Sequence, residues 1–356
     1  MQLLNDTIQK IKKPDYSLAE ETQKKLDNLT KPQGSLGRLE EIAKQMVVIS
    51  GKTNPCVKNR VIFTMAADHG VVAEGVSAFP QEVTPQMVYN FVRGGAAINV
   101  LARHVGAKVI VVDMGVAVDL DKHPGLIIKK VGYGTKNMTE GPAMSKEEAI
   151  ASIEAGIEVF EAEYGKGIDI VGIGDMGIGN STPSAAIASV LTGKSVEEIA
   201  GRGTGLDDAG LSKKVAVIKK ALKINASLAT DGLDILAKVG GFEIGGLTGV
   251  ILAAAARKVP VVIDGFISTA AALIAYTLKP DVKEYMIAAH CSQEKGHRLM
   301  LAHMGLRPLL DLDMRLGEGT GAALGMSIIE ASVKILTEMA TFQSAGVCER
   351  IEDEKL

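Results

Sequence analysis

The chain contains no tryptophan, and aromatic residues make up only 4% of its 356 positions. A core without many large rings must be filled by aliphatic side chains and by close backbone packing. The 39 glycines and a hydrophobic share of 47% fit a parallel sheet that is buried on both faces by tightly packed helices. The length allows one large α/β domain and a smaller unit.

A large excess of charge of one sign is also lacking. The net charge is −3 with both signs interspersed, which argues against a nucleic-acid groove or a membrane-binding patch. Cys56, Cys291 and Cys348 are odd in number and lack the spacing of metal ligands, so they predict free thiols in a reducing compartment. No secretion signal opens the chain, and the apolar run 265–278 is too short to span a bilayer. We therefore expect a cytoplasmic protein without a membrane span.

We do not interpret the glycines at 172–177 as a dinucleotide fingerprint, and the complete P-loop motif, Gly-x-x-x-x-Gly-Lys-Ser/Thr, is absent. Instead, a buried strand runs into a glycine loop at 177–180, with Thr182 as the expected N-cap of the next helix. Free N–H groups and the helix dipole would both face such a loop, which predicts an anion site. A second glycine loop at 201–205 precedes a helix whose Lys213 or Lys214 could reach back to a phosphate.

Strands and helices alternate through the middle of the chain. Capping boxes at Ser17 and Ser145 predict two of the helices, and a third is expected from about Leu39 to Gly51. Each buried-strand candidate ends in polar or glycine residues, which predicts an open parallel sheet with one active edge. These strand ends carry Asp68 and His69, Asp113, Asp175, Asp264, and His290.

The stretch 315–321 has the sequence Arg-Leu-Gly-Glu-Gly-Thr-Gly. Its three glycines leave the backbone of Glu318 almost uncovered, so that a small molecule could approach it closely. Thr320 is the expected N-cap of the apolar helix that follows. Taken alone, the motif is equally consistent with a solvated surface turn.

Six motifs in this order resemble one family, the nicotinate-nucleotide:dimethylbenzimidazole phosphoribosyltransferases, from about residue 14 to about residue 340. The motifs are Lys-Pro-x-Gly-Ser-Leu-Gly-Arg-Leu-Glu at 31–40, Ala-Asp-His-Gly-Val at 67–71, Gly-Ile-Gly-Asn-Ser-Thr-Pro at 177–183, Lys-Val-Gly-Gly at 238–241, His-x-Ser-x-Glu-Lys-Gly at 290–296 and Arg-Leu-Gly-Glu-Gly at 315–319.

This resemblance implies a Rossmann-like open parallel sheet flanked by helices, with a small helical domain built from both termini. The expected bounds are 1–58 for the first part of the small domain, 59–312 for the α/β domain, and 313–356 for the active-site loop and the closing helix. It also implies a dimer, of two copies or with a paralogue, that uses no metal and no cofactor.

The implied reaction joins nicotinate mononucleotide and an aromatic base to give an α-ribazole 5′-phosphate-type product and nicotinate, with inversion at the ribose C1′. The pyridinium leaves as a neutral ring, so no general acid is needed. One carboxylate suffices to take the proton of the attacking base. Glu318 matches the family's catalytic base, and Asp175 stands near the ribose where the family usually has glutamate.

The resemblance carries two further groups of residues onto this sequence. The expected phosphate- and nucleotide-binding residues are Gly177, Gly203, Lys214, Ser292, Asn180 and Gly317. The expected lining of the base pocket is Phe79, Met87, Met176 and Leu316. An apolar, polarizable lining would favour benzimidazoles, or phenols, which have little to hydrogen-bond.

Two alternatives stay open at this point. Another phosphoribosyltransferase, using pyrophosphoryl ribose, would need an acidic pair for Mg²⁺, for which Asp207 and Asp208 are the candidate. Magnesium-independent turnover would exclude it. A nucleotide-binding but non-catalytic subunit that supports a paired transferase is the other alternative.

Overall fold

The computed structural model describes residues 1–225 and 231–348, and its central feature is one six-stranded sheet. The strands are β1 (Arg60–Ala67), β2 (Ala107–Gly115), β3 (Leu126–Ile128), β4 (Ile170–Met176), β5 (Val261–Ile263) and β6 (Met286–Ala288). Every neighbouring pair is parallel, and the order is β3-β2-β1-β4-β5-β6. The predicted Rossmann-like fold is therefore confirmed.

The strand order reverses between β1 and β4, since β1 connects outward to β2 on one side and β4 to β5 on the other. In open α/β sheets, ligands bind outside the carboxyl ends of the strands at such a reversal. Ala66 of β1 pairs with Met176 of β4 at this edge. The edge strand β3 was not predicted, because three residues are too few to show a pattern.

Fifteen helices are present in the described residues. They are α1 (Gln2–Lys10), α2 (Ser17–Asp27), α3 (Arg38–Ser50), α4 (Val83–Arg93), α5 (Ala97–Val105), α6 (Lys146–Tyr164), α7 (Ser181–Thr192), α8 (Val196–Ile199), α9 (Asp208–Asn225), α10 (Gly232–Val239), α11 (Phe242–Ala256), α12 (Phe266–Leu278), α13 (His297–Met304), α14 (Thr320–Glu338) and α15 (Phe342–Ala345). Two 3-10 helices cover Gly70–Glu74 and Pro280–Tyr285. None of the helices in 1–225 and 231–348 is both long enough and apolar enough to cross a membrane.

The helices α6 and α11 touch through their backbones. A Cβ atom added to Gly156 would lie 2.0 Å from the carbonyl oxygen of Gly246, and one added to Gly249 would lie 2.0 Å from that of Ile153. Both distances are far below van der Waals contact, so only glycine fits at this crossing. This close approach helps the core to fill with few aromatic rings.

The chain divides into two compact units. The sheet unit comprises Met1–Lys13 and Asn59–Met326, and the helical unit comprises Pro14–Lys58 and, within the described residues, 327–348. The first thirteen residues thus belong with the sheet, unlike the expected bound at residue 58. The reason is that α1 packs on α6 and α11, and the Leu4 amide donates to Glu154 Oε1 at 3.1 Å.

The helical unit has its own small core, formed by Leu26, Leu29, Ala43, Val47 and Leu336. The motif at 31–40 lies in this unit. Its Lys31 forms a buried ion pair with Glu40 at 2.8 Å, and Glu40 Oε1 also accepts from the amide of Leu36. Within this unit, the motif's charged residues serve to hold the connector between α2 and α3.

Three predicted helix starts differ in detail from the structure, whereas Ser145 caps α6 with the predicted capping box. Ser17 is the first residue of α2, and its amide donates to Asp15 Oδ1 at 2.8 Å. Thr182 lies inside the first turn of α7, which begins at Ser181. Thr320 is likewise the first residue of α14, and its hydroxyl donates to the Gly317 carbonyl.

Candidate active site

A cavity of about 410 Å³ lies at the carboxyl end of β4. It brings together five residues predicted from the sequence: Phe79, Asp175, Asn180, Gly203 and Leu316. The remaining lining residues are Ser181, Thr204, Ile267, Glu294 and Arg315. The wall therefore combines apolar surfaces with charged and hydroxyl groups, and is more polar than the sequence suggested.

Asp175 occupies the end of β4 and is almost fully buried. Its Oδ2 accepts a hydrogen bond from the Asn180 amide at 2.9 Å, while Oδ1 has no partner among the described residues. Burial raises the pKa of Asp175 well above its usual value, and the charges of Asp264, Glu243 and Glu318 add to this rise. Asp175 is therefore positioned to present either a carboxylate or a neutral acid to the cavity.

Glu318 sits on a turn of unusual backbone. Gly317, Glu318 and Gly319 have φ values of 85°, 62° and 95°, so three successive residues are left-handed. This conformation is strained for glutamate and needs support from its surroundings. Thr64 of β1 supplies part of that support by donating to the Glu318 carbonyl at 2.9 Å.

The side chain of Glu318 is buried, with the residue 5% exposed, and its chain neighbours Arg315 and Leu316 line the cavity. Its Oε2 accepts from the Ile98 amide at 3.1 Å, and Oε1 accepts no hydrogen bond within the described part of the chain. Burial raises its pKa above the ordinary value of 4.5, with the Ile98 hydrogen bond opposing the rise. A carboxylate that is poorly solvated and has one free oxygen is suited to accept a proton.

Asp264, at the end of β5, has a role that the sequence did not reveal. It is fully buried, and its two oxygens accept from the amides of Gly319 and Ala322, each at 3.0 Å. Asp264, which follows β5, thus caps the first turn of α14 from a distant part of the chain. The strand-end pattern pointed to this residue as polar at the active edge, but could not give its partners.

Lys214 is one of the residues that the sequence predicts to bind phosphate. This side chain is fully buried, and its Nζ donates to Ser181 Oγ at 2.8 Å and to the Gly201 carbonyl at 3.3 Å. Burial lowers the pKa of Lys214 to about 8, although the charge of Glu294 opposes this. A Cβ added to Gly203 would lie 2.7 Å from Ser181 Oγ. The lysine, the start of α7 and the second glycine loop therefore meet at one point.

Gly177 and Ser292 lie near this region but not on the cavity wall as the described residues form it. Gly177 is required by packing, since a Cβ there would lie 2.3 Å from the Ala67 carbonyl; it is Gly179 whose φ is positive, at 88°. The amide of Ser292 donates to His297 Nδ1 at 2.8 Å, and Nε2 of that ring bonds Thr269 Oγ1. A neutral His297 with its proton on Nε2 satisfies both contacts.

The four predicted base-pocket residues are not all brought together. Phe79 and Leu316 are half-exposed on the cavity wall, with 51% and 56% of their surfaces accessible. Met87 on α4 and Met176 at the end of β4 are partly buried and are not among the lining residues found in the described chain. The apolar wall that the structure offers is therefore formed by Phe79, Leu316 and Ile267.

Behind the glycine loop lies a buried ion pair. His69 Nε2 bonds Glu243 Oε1 at 2.8 Å, and both side chains are inaccessible. Burial by itself lowers the pKa of His69, but the charge and hydrogen bond of Glu243 outweigh it and raise that pKa. Within 1–225 and 231–348, no group of three or more His, Cys, Asp or Glu side chains is arranged to hold a metal ion.

A model of the family described as phosphoribosyltransferase matches residues 11–347. A relative from Desulforudis audaxviator, named nicotinate-nucleotide–dimethylbenzimidazole phosphoribosyltransferase, is 58% identical over 353 residues, covering 99% of this chain and 100% of the relative. One of the same name from Geobacter sulfurreducens is 57% identical, covering 98% of this chain and 99% of the relative.

A solved structure agrees with these sequence relatives. The crystal structure of CobT from Thermus thermophilus matches with a TM-score of 0.91 and 45% identity, covering 94% of this chain and 99% of that one. The chain belongs to the nicotinate-nucleotide–dimethylbenzimidazole phosphoribosyltransferase family. It is a pentosyltransferase.

Proposed function

We propose that this enzyme transfers the phosphoribosyl group of nicotinate mononucleotide to an aromatic lower-ligand base, with Glu318 as the general base. The observation that carries the proposal is the position of Glu318. Its buried carboxylate sits on a left-handed Gly-Glu-Gly turn, beside a cavity at the point where the strand order reverses. The names of the relatives supply the substrate classes.

In the chemical step, a ring nitrogen of the base attacks C1′ with its lone pair, from the face opposite the pyridinium. The bond from C1′ to the pyridinium nitrogen breaks, and its electron pair returns to the ring, so that nicotinate leaves uncharged at nitrogen. The N–H proton of the attacking base passes to Glu318. With benzimidazole and β-configured nucleotide, the product is the α-riboside 5′-phosphate.

The phosphate is assigned to the meeting point of Lys214, Ser181 and Gly203. The first turn of α7 supplies the positive end of a helix dipole. Lys214 would add a cation, and Arg315, which donates to the Gly203 carbonyl at 3.1 Å, lies within the same wall. Asp175 and Asn180 then face the ribose between the phosphate and the base.

The base would lie against Phe79 and Leu316. Few polar groups on that side favour benzimidazoles, and also phenols, which offer one O–H to Glu318. Adenine presents several polar edges, and each group left unpaired costs about 1–3 kcal/mol. We therefore propose that benzimidazole is preferred over adenine.

We also propose a dimer of two copies in the cytoplasm. The three cysteines are free thiols, in keeping with a reducing compartment. Light scattering of the purified protein, alone and mixed with a paralogue, tests the assembly. A mass of one chain alone would contradict the dimer.

The deciding experiment incubates the purified chain with nicotinate mononucleotide and a panel of bases, with and without chelator, and identifies the products by mass. We expect a riboside phosphate and an equal amount of nicotinate, unaffected by chelator. Product only in the presence of a paralogue would favour the supporting-subunit alternative. Turnover with pyrophosphoryl ribose, dependent on Mg²⁺, would point to the other transferase class.

A further inference from the structure

We propose that Asp264 is a positioning residue that holds the Glu318 turn in its active geometry. Glu318 has φ 62° between two left-handed glycines, and a left-handed conformation is unfavourable for an ordinary L-residue. Such a conformation persists only where the surroundings fix it. The inference rests on the proposed function, in that Glu318 must be the general base.

The hydrogen bonds around the turn identify what fixes it. Thr64 from β1 holds the carbonyl oxygen of Glu318, and Asp264 from β5 holds the next amide, that of Gly319. The peptide between Glu318 and Gly319 is therefore clamped at both of its polar atoms. Because β1 and β5 flank β4, the clamp ties the turn to both sides of the strand that carries Asp175.

The second oxygen of Asp264 joins this turn to the helix that follows. It accepts from the amide of Ala322, in the first turn of α14, at 3.0 Å. One rigid carboxylate thus sets both the turn and the start of the helix. A Cβ added to Gly321 would lie 2.8 Å from Asp264 Oδ1 and 2.1 Å from the ring of His290, which shows how closely this contact is packed.

Close packing of the backbone leaves the turn no room to slide along the sheet. A Cβ added to Gly174 of β4 would lie 2.2 Å from the carbonyl carbon and oxygen of Glu318. The turn can therefore move only by lifting away from β4. Asp264 opposes that movement, because it bonds the turn from the neighbouring strand.

The test is a double-mutant cycle of Asp264→Asn and Glu318→Gln, with single-turnover rates measured by mass detection. Asparagine keeps the size of the side chain but replaces one acceptor oxygen with a donor, which faces an amide. If the carboxylate of Glu318 is displaced by about 1 Å, the rate of the chemical step should fall on the order of a hundredfold. The KM for nicotinate mononucleotide should change by less than about twofold, because Asp264 positions the general base Glu318 and does not contact the phosphate site.

In the Glu318→Gln background, the same Asp264→Asn change should cost less than about threefold, because no working base remains to be displaced. Equal losses in both backgrounds would overturn the inference and assign Asp264 a purely structural role. A wild-type rate for Asp264→Asn would also overturn it. A wild-type rate for Glu318→Gln alone would instead refute the proposed general base.

A matched control is Asp231→Asn. Asp231 also caps a helix from outside, since its Oδ1 accepts from the Asp234 amide at 2.8 Å at the start of α10, but it is exposed and is not part of the cavity wall. This variant should retain both kcat and KM. If it lost rate as Asp264→Asn does, capping in general and not the clamp would be responsible.

Two further measurements cover an Asp264→Asn variant that fails to fold. Asp264→Ser keeps an oxygen that can accept from a first-turn amide, and should give a rate between those of aspartate and asparagine. Hydrogen exchange on the unaltered enzyme is independent of any variant. The Gly319 amide should exchange slowly, because it donates to buried Asp264; fast exchange would overturn the clamp.

Discussion

Replacement of Glu318 by glutamine is the most direct test of the proposed chemistry. The two side chains are nearly isosteric, and the glutamine oxygen can still accept from the Ile98 amide, which lies 3.1 Å from the carboxylate. The buried site is therefore expected to keep its packing. Only the ability to take a proton is lost.

The expected loss is large. General-base catalysis contributes about a hundred- to ten-thousand-fold, which corresponds to about 3–5.5 kcal/mol of activation free energy. Because burial raises the pKa of Glu318 above 4.5, the wild-type kcat should fall on the acid side at a pH above that value. The base must be ionised to work, so activity is lost as the pH falls, and the variant should lack this acid limb.

The assay follows nicotinate release and riboside phosphate formation across pH, with nucleotide binding measured separately by calorimetry. Glu338→Gln makes the same chemical change at an exposed position of α14 and should leave kcat and the acid limb unaltered. Near wild-type turnover of Glu318→Gln would refute the assignment. So would a variant whose only defect was weaker nucleotide binding.

Three further perturbations have defined outcomes. Gly203→Ala places a Cβ 2.7 Å from Ser181 Oγ at φ 53°, so it should raise the KM for the nucleotide by a larger factor than the KM for the base. Gly193→Ala, at φ 68° in open space, controls for backbone strain. A larger rise in the KM for the base would contradict the assigned phosphate position. Phe79→Ser should raise the adenine share of product in a mixed-base assay more than Met87→Gln, which lies off the cavity wall, and equal shifts would contradict the assigned base side. Burial raises the pKa of Asp264 from 3.8 to about 7, so the stability that Asp264 contributes is full below pH 3.8 and is lost as the pH rises through 7. Burial lowers the pKa of His297 from 6.5 to about 3, so the stability that His297 contributes is full above pH 6.5 and is lost as the pH falls through 3. Urea unfolding from pH 5 to 8 should therefore show opposite changes of slope for Asp264→Asn and His297→Gln, and unchanged slopes would contradict both pKa shifts.

The sheet was predictable because its strands are apolar runs with polar ends, and burial on both faces gives just that pattern. The capping box at Ser145 was predictable for a similar reason, since its signal lies within four residues. The short edge strand β3 and the helix α1 were not, because three residues carry no period and α1 depends on packing against distant helices.

The candidate site likewise combines positions that local sequence patterns mark with contacts that such patterns do not give. Sequence motifs single out Glu318, Asp175 and Lys214 as candidates, because glycines and strand ends mark them locally. They could not give the contacts that join distant positions, such as the hydrogen bond between Asp264 and Gly319 or the pair of His69 and Glu243. These bonds depend on the strand order, which no local pattern encodes.

The backbone contact between α6 and α11 has a consequence for how this enzyme can vary. Because only glycine fits at Gly156 and Gly249, the spacing of the two helices is fixed by main-chain atoms alone. Glu243, in the first turn of α11, holds His69 at the end of β1. A single added methyl group at Gly156, which would lie against the Gly246 backbone, would displace α11 and with it the partner of His69. Random mutagenesis should therefore recover catalytic defects at this crossing, although no residue there can meet a substrate.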